Sequence, residues 1–238
     1  MKITLSPQRR EDFLFAEISG DVLIVNGHAY DFSRMGNGDT LPRAAISDEF
    51  FAGDITKGDD KLSLTLLLPN PINYSQEQAF PVPLVDISDG RVALPLPMPD
   101  EAGNYPELPP LPELIGPGAI DWTQLVTKAM KDAAAIADHL AAMKAELAAR
   151  NAQVVTQIAR IQDRINTIGY GIDSGDATEE DEAEQAALMV SIAAWKTYKF
   201  ALGKVTKQPT WPAAPVWPVM PAIPVIVADP EANAADAA

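Results

Sequence analysis

Residues 121–171 read DWTQLVTKAMKDAAAIADHLAAMKAELAARNAQVVTQIARIQDRINTIGYG, and the fold turns on what this stretch forms. Asp121 is a good helix N-cap, and Gln124 stands three residues later, the spacing of a capping box. Behind it Trp122, Val126, Ala129, Ala133, Ile136, Leu140, Met143 and Leu147 recur in steps of four and three. That is a heptad seam, the pattern that turns one helical face toward another helix. The register slips at Arg150 and Asn151, then resumes as Val154, Ile158, Ile161, Ile165 and Ile168. A four-residue stutter of this kind unwinds a coiled coil locally without ending it. The spacing predicts a helix of about fifty residues, about 70 Å long at 1.5 Å per residue.

Downstream, Gly169-Tyr170-Gly171 predicts a break, and residues 173–177 a polar turn. Thr178 can cap a second helix, with Asp181 at the reciprocal position and Glu179 and Glu180 on the positive end of the dipole. Leu188, Ile192, Trp195 and Leu202 fall on one face, while Lys196, Lys199 and Lys204 lie near the C-terminal end; the helix stops by Lys207. Two arrangements cover the seam. Isoleucine at both seam positions favours three or four strands over two, which predicts a homotrimer. An antiparallel hairpin, with the Trp195 helix folded back, covers the C-terminal half alone. The two are compatible. The oligomerisation candidates are Val126, Ile136, Leu140, Met143, Leu147, Ile158, Ile161 and Ile165.

The chain holds 21 prolines. Pro209, Pro212, Pro215, Pro218, Pro221 and Pro224 recur every third residue, the period of a polyproline II helix. Trp211, Ala214, Trp217, Met220, Ile223 and Ile226 form a second edge, and Thr210, Ala213, Val216, Val219, Ala222 and Val225 a third. All three edges are mostly apolar, so residues 208–228 should dock into something rather than stay free. Trp211, Pro212, Trp217, Pro218, Met220 and Ile223 are the partner-binding candidates there, since tryptophan contributes large contact area at low entropy cost. Residues 229–238 are Ala-rich and acidic, and a flexible tail is expected.

Residues 1–93 read as β structure. Val22-Leu23-Ile24-Val25 runs into Asn26-Gly27, the strongest short hairpin signal, and Leu62, Leu64 and Leu66 alternate with Ser63 and Thr65. Asp89-Gly90 marks a further tight turn. These spacings predict a small antiparallel sandwich or barrel. Residues 94–120, with Pro95, Pro97, Pro99, Pro106, Pro109, Pro110, Pro112 and Pro117, predict a stiff linker. The whole is an α+β chain: β domain, linker, long helical region over 121–207, proline segment.

A net charge of −15 over 238 residues argues against nucleic acid and anionic membrane as partners. No cysteine is present, which removes disulfides and thiolate chemistry. No run of about 18 apolar residues predicts a membrane span. The first residues, Met1 to Pro7, lack the apolar stretch of a signal peptide, so a cytoplasmic origin is expected. His28 and His139 are the only histidines, and neither has a partner at triad or ligand spacing. The acidic run 173–182 lacks the ligand order of a calcium loop. The chain is read as a non-enzyme without metal or cofactor.

Gln162-Asp163-Arg164-Ile165, Ala177-Thr178-Glu179-Glu180-Asp181-Glu182, Ala193-Ala194-Trp195-Lys196-Thr197-Tyr198-Lys199-Phe200 and Pro209-Thr210-Trp211-Pro212 resemble the C-terminal part of caudovirales tail-fibre assembly proteins. Met1 to Arg10, Gly20-Asp21-Val22-Leu23, Phe51-Ala52-Gly53-Asp54 and Leu64-Thr65-Leu66 look like a domain of phage proteins encoded beside tail-fibre genes. The resemblance implies a chaperone that helps trimeric fibres fold or join the tail, working in the host cytoplasm. Its partner would be a tail-fibre or baseplate chain. Trp195 and Tyr198 become partner-binding candidates on that basis, although an apolar helical face ordinarily packs a core. This chain departs from the family in its six-fold proline repeat and its long seam. Both favour the alternative, a permanent structural part of the virion tail involved in host attachment.

Overall fold

The computed structural model describes residues 1–99, 103, 105 and 109–226, and the chain divides into two units, 1–133 and 134–238. The expected acidic tail, the last residues of the proline segment, and Pro106 of the linker lie outside the described residues. The chain is α+β. In the first unit one sheet runs β1 (Lys2–Arg9), β7 (Lys61–Asn70), β6 (Ile55–Gly58) and β5 (Thr40–Leu41). The other runs β8 (Gly90–Arg91), β2 (Ala16–Ser19), β3 (Val22–Val25), β4 (His28–Asp31) and β9 (Gly116–Pro117). A single-turn helix, α1 (Gln76–Ala79), follows β7.

Local chemistry accounts for the hairpins. Val25 pairs with His28, leaving Asn26 and Gly27 as a two-residue turn with φ of 47° and 87°. A Cβ at position 27 would lie 2.6 Å from the Glu113 carbonyl, so glycine is required twice over. Asp59 and Asp60, both at positive φ, turn β6 into β7 without any glycine in the turn. Leu62, Leu64, Leu66 and Leu68 alternate inward along β7. With Ile3, Ile18, Leu23, Leu41 and Phe51 they form one core shared by both sheets. Phe51 meets Tyr30 and Phe32 edge to face at 4.9 and 6.3 Å.

Three expectations need correcting. The sheets are mixed, with β1 parallel to β7 and β4 parallel to β9, and among the described residues neither closes into a barrel. Hairpin signals govern neighbours in sequence, whereas β1 reaches β7 across the intervening strands, the long crossover that parallel pairing needs. Ile3 exchanges both backbone bonds with Leu84 on the far side of β1. By alternation Pro7 lies on that same edge, where no donor is needed.

Asp121 does act as a cap, accepting from Thr123 N–H at 3.0 Å, but the helix it starts is one 3-10 turn, Trp122–Gln124. Val126 is extended and exchanges 2.9 Å backbone bonds with Thr40, so it sits beside the sheet and not on a helix. The long helix, α2 (Lys128–Ser174), begins after it, with the buried Asp39 carboxylate accepting from Lys128 N–H at 2.9 Å. Helix α2 also passes through Gly169 and Gly171 and ends at Gly175, where φ is 80°. Each interior glycine costs about 1 kcal/mol relative to alanine. Burial of Ile165 and Ile168 on the same stretch offsets this, at about 1.5–3 kcal/mol for each fully enclosed side chain.

Candidate partner-binding surface

The second unit is built on the distal part of α2 and on α3 (Glu179–Leu202). Thr178 opens α3 with a capping box: its hydroxyl accepts from Asp181 N–H, and the Asp181 carboxylate accepts from Thr178 N–H at 3.0 Å. The Thr178 N–H and the Thr178 hydroxyl, which donates to the same carboxylate at 2.9 Å, hold the Asp181 carboxyl below the usual carboxylate range more than the Arg164 charge does. Leu188, Ile192, Trp195, Tyr198 and Leu202 then close over Val154, Ile161, Ile165 and Ile168. Trp195 is 0% exposed and meets Tyr198 edge to face at 5.9 Å. Its indole N–H is buried with no acceptor among the described residues. Arg164 clasps Glu184 through two bonds, 2.6 and 3.1 Å, and Gln185 donates to the Ile165 carbonyl at 3.1 Å.

After a 3-10 turn, Val205–Lys207, the proline segment folds back on this same hairpin. Gln208 clamps Val216 from both sides, donating to its carbonyl and accepting from its N–H, each at 2.7 Å. Trp211 and Trp217 meet edge to face at 6.4 Å, and the Arg150 guanidinium lies 4.6 Å from the Trp217 ring. Further on, His139 meets the Pro212 carbonyl at 2.8 Å, Arg160 donates to the Pro224 carbonyl at 3.2 Å, and Ile226 enters the core. Thirteen residues of the segment, 212 to 224, thus keep pace with twenty-two of α2, 139 to 160. Residues 209–213 form a turn, closed by the Ala214 N–H donating to the Thr210 carbonyl at 2.8 Å, so the span is covered by extended backbone beyond it, since a helix rises only about 1.5 Å per residue. Pro212, Pro215, Pro218, Pro221 and Pro224 are half-buried, while the residues between them, Trp217 excepted, are exposed, up to 93% at Val219. The apolar segment docks on its own chain.

The candidate residues are therefore divided. Trp195 and Tyr198 are enclosed in the hairpin, as are Ile161 and Ile165, with Ile158 half-buried beside them. Trp211, Pro212, Trp217 and Pro218 are half-buried by α2 and α3, and Met220 and Ile223 face outward. Leu147, Leu140 and Met143 are half-buried, and Ile136 is 68% exposed. Along α2 the seam is enclosed distally, half-covered from Leu147 back to Leu140, and bare at Ile136. That division could not be read from spacing, because the covering segment is itself apolar on every edge.

The chain matches no protein-family model, no curated protein and no solved structure. Among the described residues, no cluster of three His, Asp or Glu side chains is placed to hold a metal ion, and no helix is long and apolar enough to cross a membrane. The β unit adds one feature that sequence reasoning missed, a cavity of about 630 Å³ lined by Phe13, Leu14, Leu68, Val92, Leu94 and Leu96 with Glu11, Asp12 and Arg91. Its walls come from segments far apart in sequence, so no local pattern announces it.

Proposed function

We propose that this chain is a phage tail-fibre assembly and attachment protein, a non-enzymatic binder of tail-fibre or baseplate chains. The observation that carries the reading is the proximal seam of α2, where Ile136 is exposed and Leu140 and Met143 are only half-buried. Apolar positions repeated along a solvent-facing helix are stabilised only when another polypeptide covers them. The resemblance of the Trp195 helix and the Trp211-Pro212 segment to tail-fibre assembly proteins supports a tail-fibre or baseplate chain as the partner. A homotrimer belongs to the same reading, but the isoleucines that favoured three strands, among them Ile161 and Ile165, are enclosed by α3, so the coiled coil rests on the proximal positions Ile136, Leu140 and Met143 alone. In this reading the proline segment is a polyproline II strip, supported by burial at every third residue.

The test is capture of a purified trimeric tail-fibre protein by the full chain. Binding is expected, and Ile136→Asp should abolish it while leaving the circular dichroism spectrum unchanged. A folded chain that captures neither fibre nor baseplate protein overturns the reading. The length of α2, 47 residues, favours a second reading, a permanent component of the virion tail. Mass spectrometry of purified particles separates the two, since an assembly factor is absent from them.

A further inference from the structure

Helix α3 buries one face against α2 and leaves the opposite face open. On that open face Glu179, Ala183, Ala186, Val190, Ala193, Thr197, Phe200 and Lys204 follow one another in steps of four and three, a second heptad line. Gly203 and Lys204 keep helical backbone angles, so the line continues past Leu202. Every residue on it is exposed, with Val190 at 73% and Phe200 at 67%. We infer that this face is an antiparallel interface with α3 of a second copy of the chain.

The occupant follows from how the line is written. Read against its own reverse about a point between Ser191 and Ile192, Glu179 faces Lys204, Ala183 faces Phe200, Ala186 faces Thr197, and Val190 faces Ala193. Opposite charges meet at each end, the one bulky ring meets an alanine, and the small residues in the middle let two helices approach closely. The Lys204 ammonium already lies 4.1 Å from the Phe200 ring, one turn back along the same line. The flanking charges agree. Glu179, Glu180, Asp181 and Glu182 fill the first turn, and Lys196, Lys199, Lys204 and Lys207 gather at the other end. Antiparallel pairing sets acidic end on basic end and opposes the helix dipoles. Parallel pairing stacks the acidic ends of chains that each carry −15. The interface is isologous, as two-fold contacts are, and it faces away from α2. It is therefore independent of the tail-fibre reading.

The chain has no cysteine, so introduced thiols report cleanly. Ala186→Cys and Thr197→Cys chains are co-expressed, oxidised and run without reductant. The expected result is a cross-linked pair only when both variants are present. In the antiparallel register the two copies of position 186 stand about 16 Å apart along the axis, beyond the Cα separation of about 4.4–6.8 Å that a disulfide spans. In a second experiment, light scattering of Val190→Glu should show half the wild-type mass with unchanged melting of the helical unit, since position 190 is exposed. Disulfides formed by either variant alone, no disulfide at all, or an unchanged mass for Val190→Glu would each overturn the inference.

Discussion

The two halves of α2 carry the same spacing of apolar residues and meet different surroundings. In the distal half Val154, Ile161, Ile165 and Ile168 are enclosed by α3, while in the proximal half Ile136 faces solvent. Equal patterns thus lead to unequal energies. A heptad line states that a face is apolar; what covers it depends on chain elsewhere. Here the cover is α3, followed by a proline strip that extends fast enough to follow α2 from Pro212 to Pro224. Both covers are local in topology, joined by tight turns, which keeps the loop-closure cost small.

The sharpest way to break the comparison is Trp195→Ala. A fully enclosed indole replaced by alanine should cost about 3–5 kcal/mol, read as a drop in the urea midpoint of the helical unit. Trp195→Phe should cost far less than that, because the indole N–H it removes has no acceptor to lose. A penalty for phenylalanine beyond what the cavity left by the smaller ring accounts for would mean that the N–H has a partner in solution. Next in size is Trp217→Ala, which removes the edge contact with Trp211 and the Arg150 guanidinium from its ring. About 1–3 kcal/mol is expected from those two contacts together. Hydrogen exchange at the Val216 amide, bonded to Gln208 Oε1, should accelerate as the strip lifts. Unchanged exchange would mean that Ile226 and the Arg160 bond hold the strip without its tryptophans.

What was legible in the sequence follows the same division. Signals whose parts sit within a few residues were readable: the Asn26-Gly27 turn, the alternation in β7, and the Thr178 box with Asp181. Signals that depend on a distant competitor were not. Asp121 looks like the start of a long helix, and it fails because Thr40 claims the backbone of Val126. Gly169 and Gly171 look like a stop, and they are overridden by the isoleucines packed around them. Strand β1, with Pro7 inside it, is invisible until β7 offers a parallel edge. Of the candidate residues, spacing identified which are apolar, and it could not say that Trp195 lies inside while Ile136 lies outside.

A smaller effect tests the turn that brings α3 back. Thr178→Ala removes an N-cap and should cost about 1 kcal/mol. The acid limb of stability should change with it. Asp181 is depressed in the folded state by the Thr178 N–H and hydroxyl, so its contribution is present above the ordinary aspartate value of 3.8 and fades as pH falls through the lower folded value. Asp181→Asn should flatten that limb without touching stability at neutral pH by more than the loss of the cap. An acid limb unchanged by either substitution would place the acid sensitivity elsewhere.

The smallest effect on stability is expected at Ile136, and it matters because of the contrast it completes. In the lone chain Ile136→Ala removes a side chain that is mostly in water, so below the concentration at which the seam self-associates the change should stay within about 0.5 kcal/mol. The same truncation at Ile161, fully enclosed, should cost about 2–5 kcal/mol. If the two substitutions prove equally costly in dilute solution, the proximal seam is already covered in the purified protein, and self-association along it has occurred without any fibre chain. If Ile136→Ala is silent alone but destabilises the chain once a fibre protein is added, the cover is the partner. The pair of variants, measured with and without partner, therefore identifies what the bare half of the helix is for.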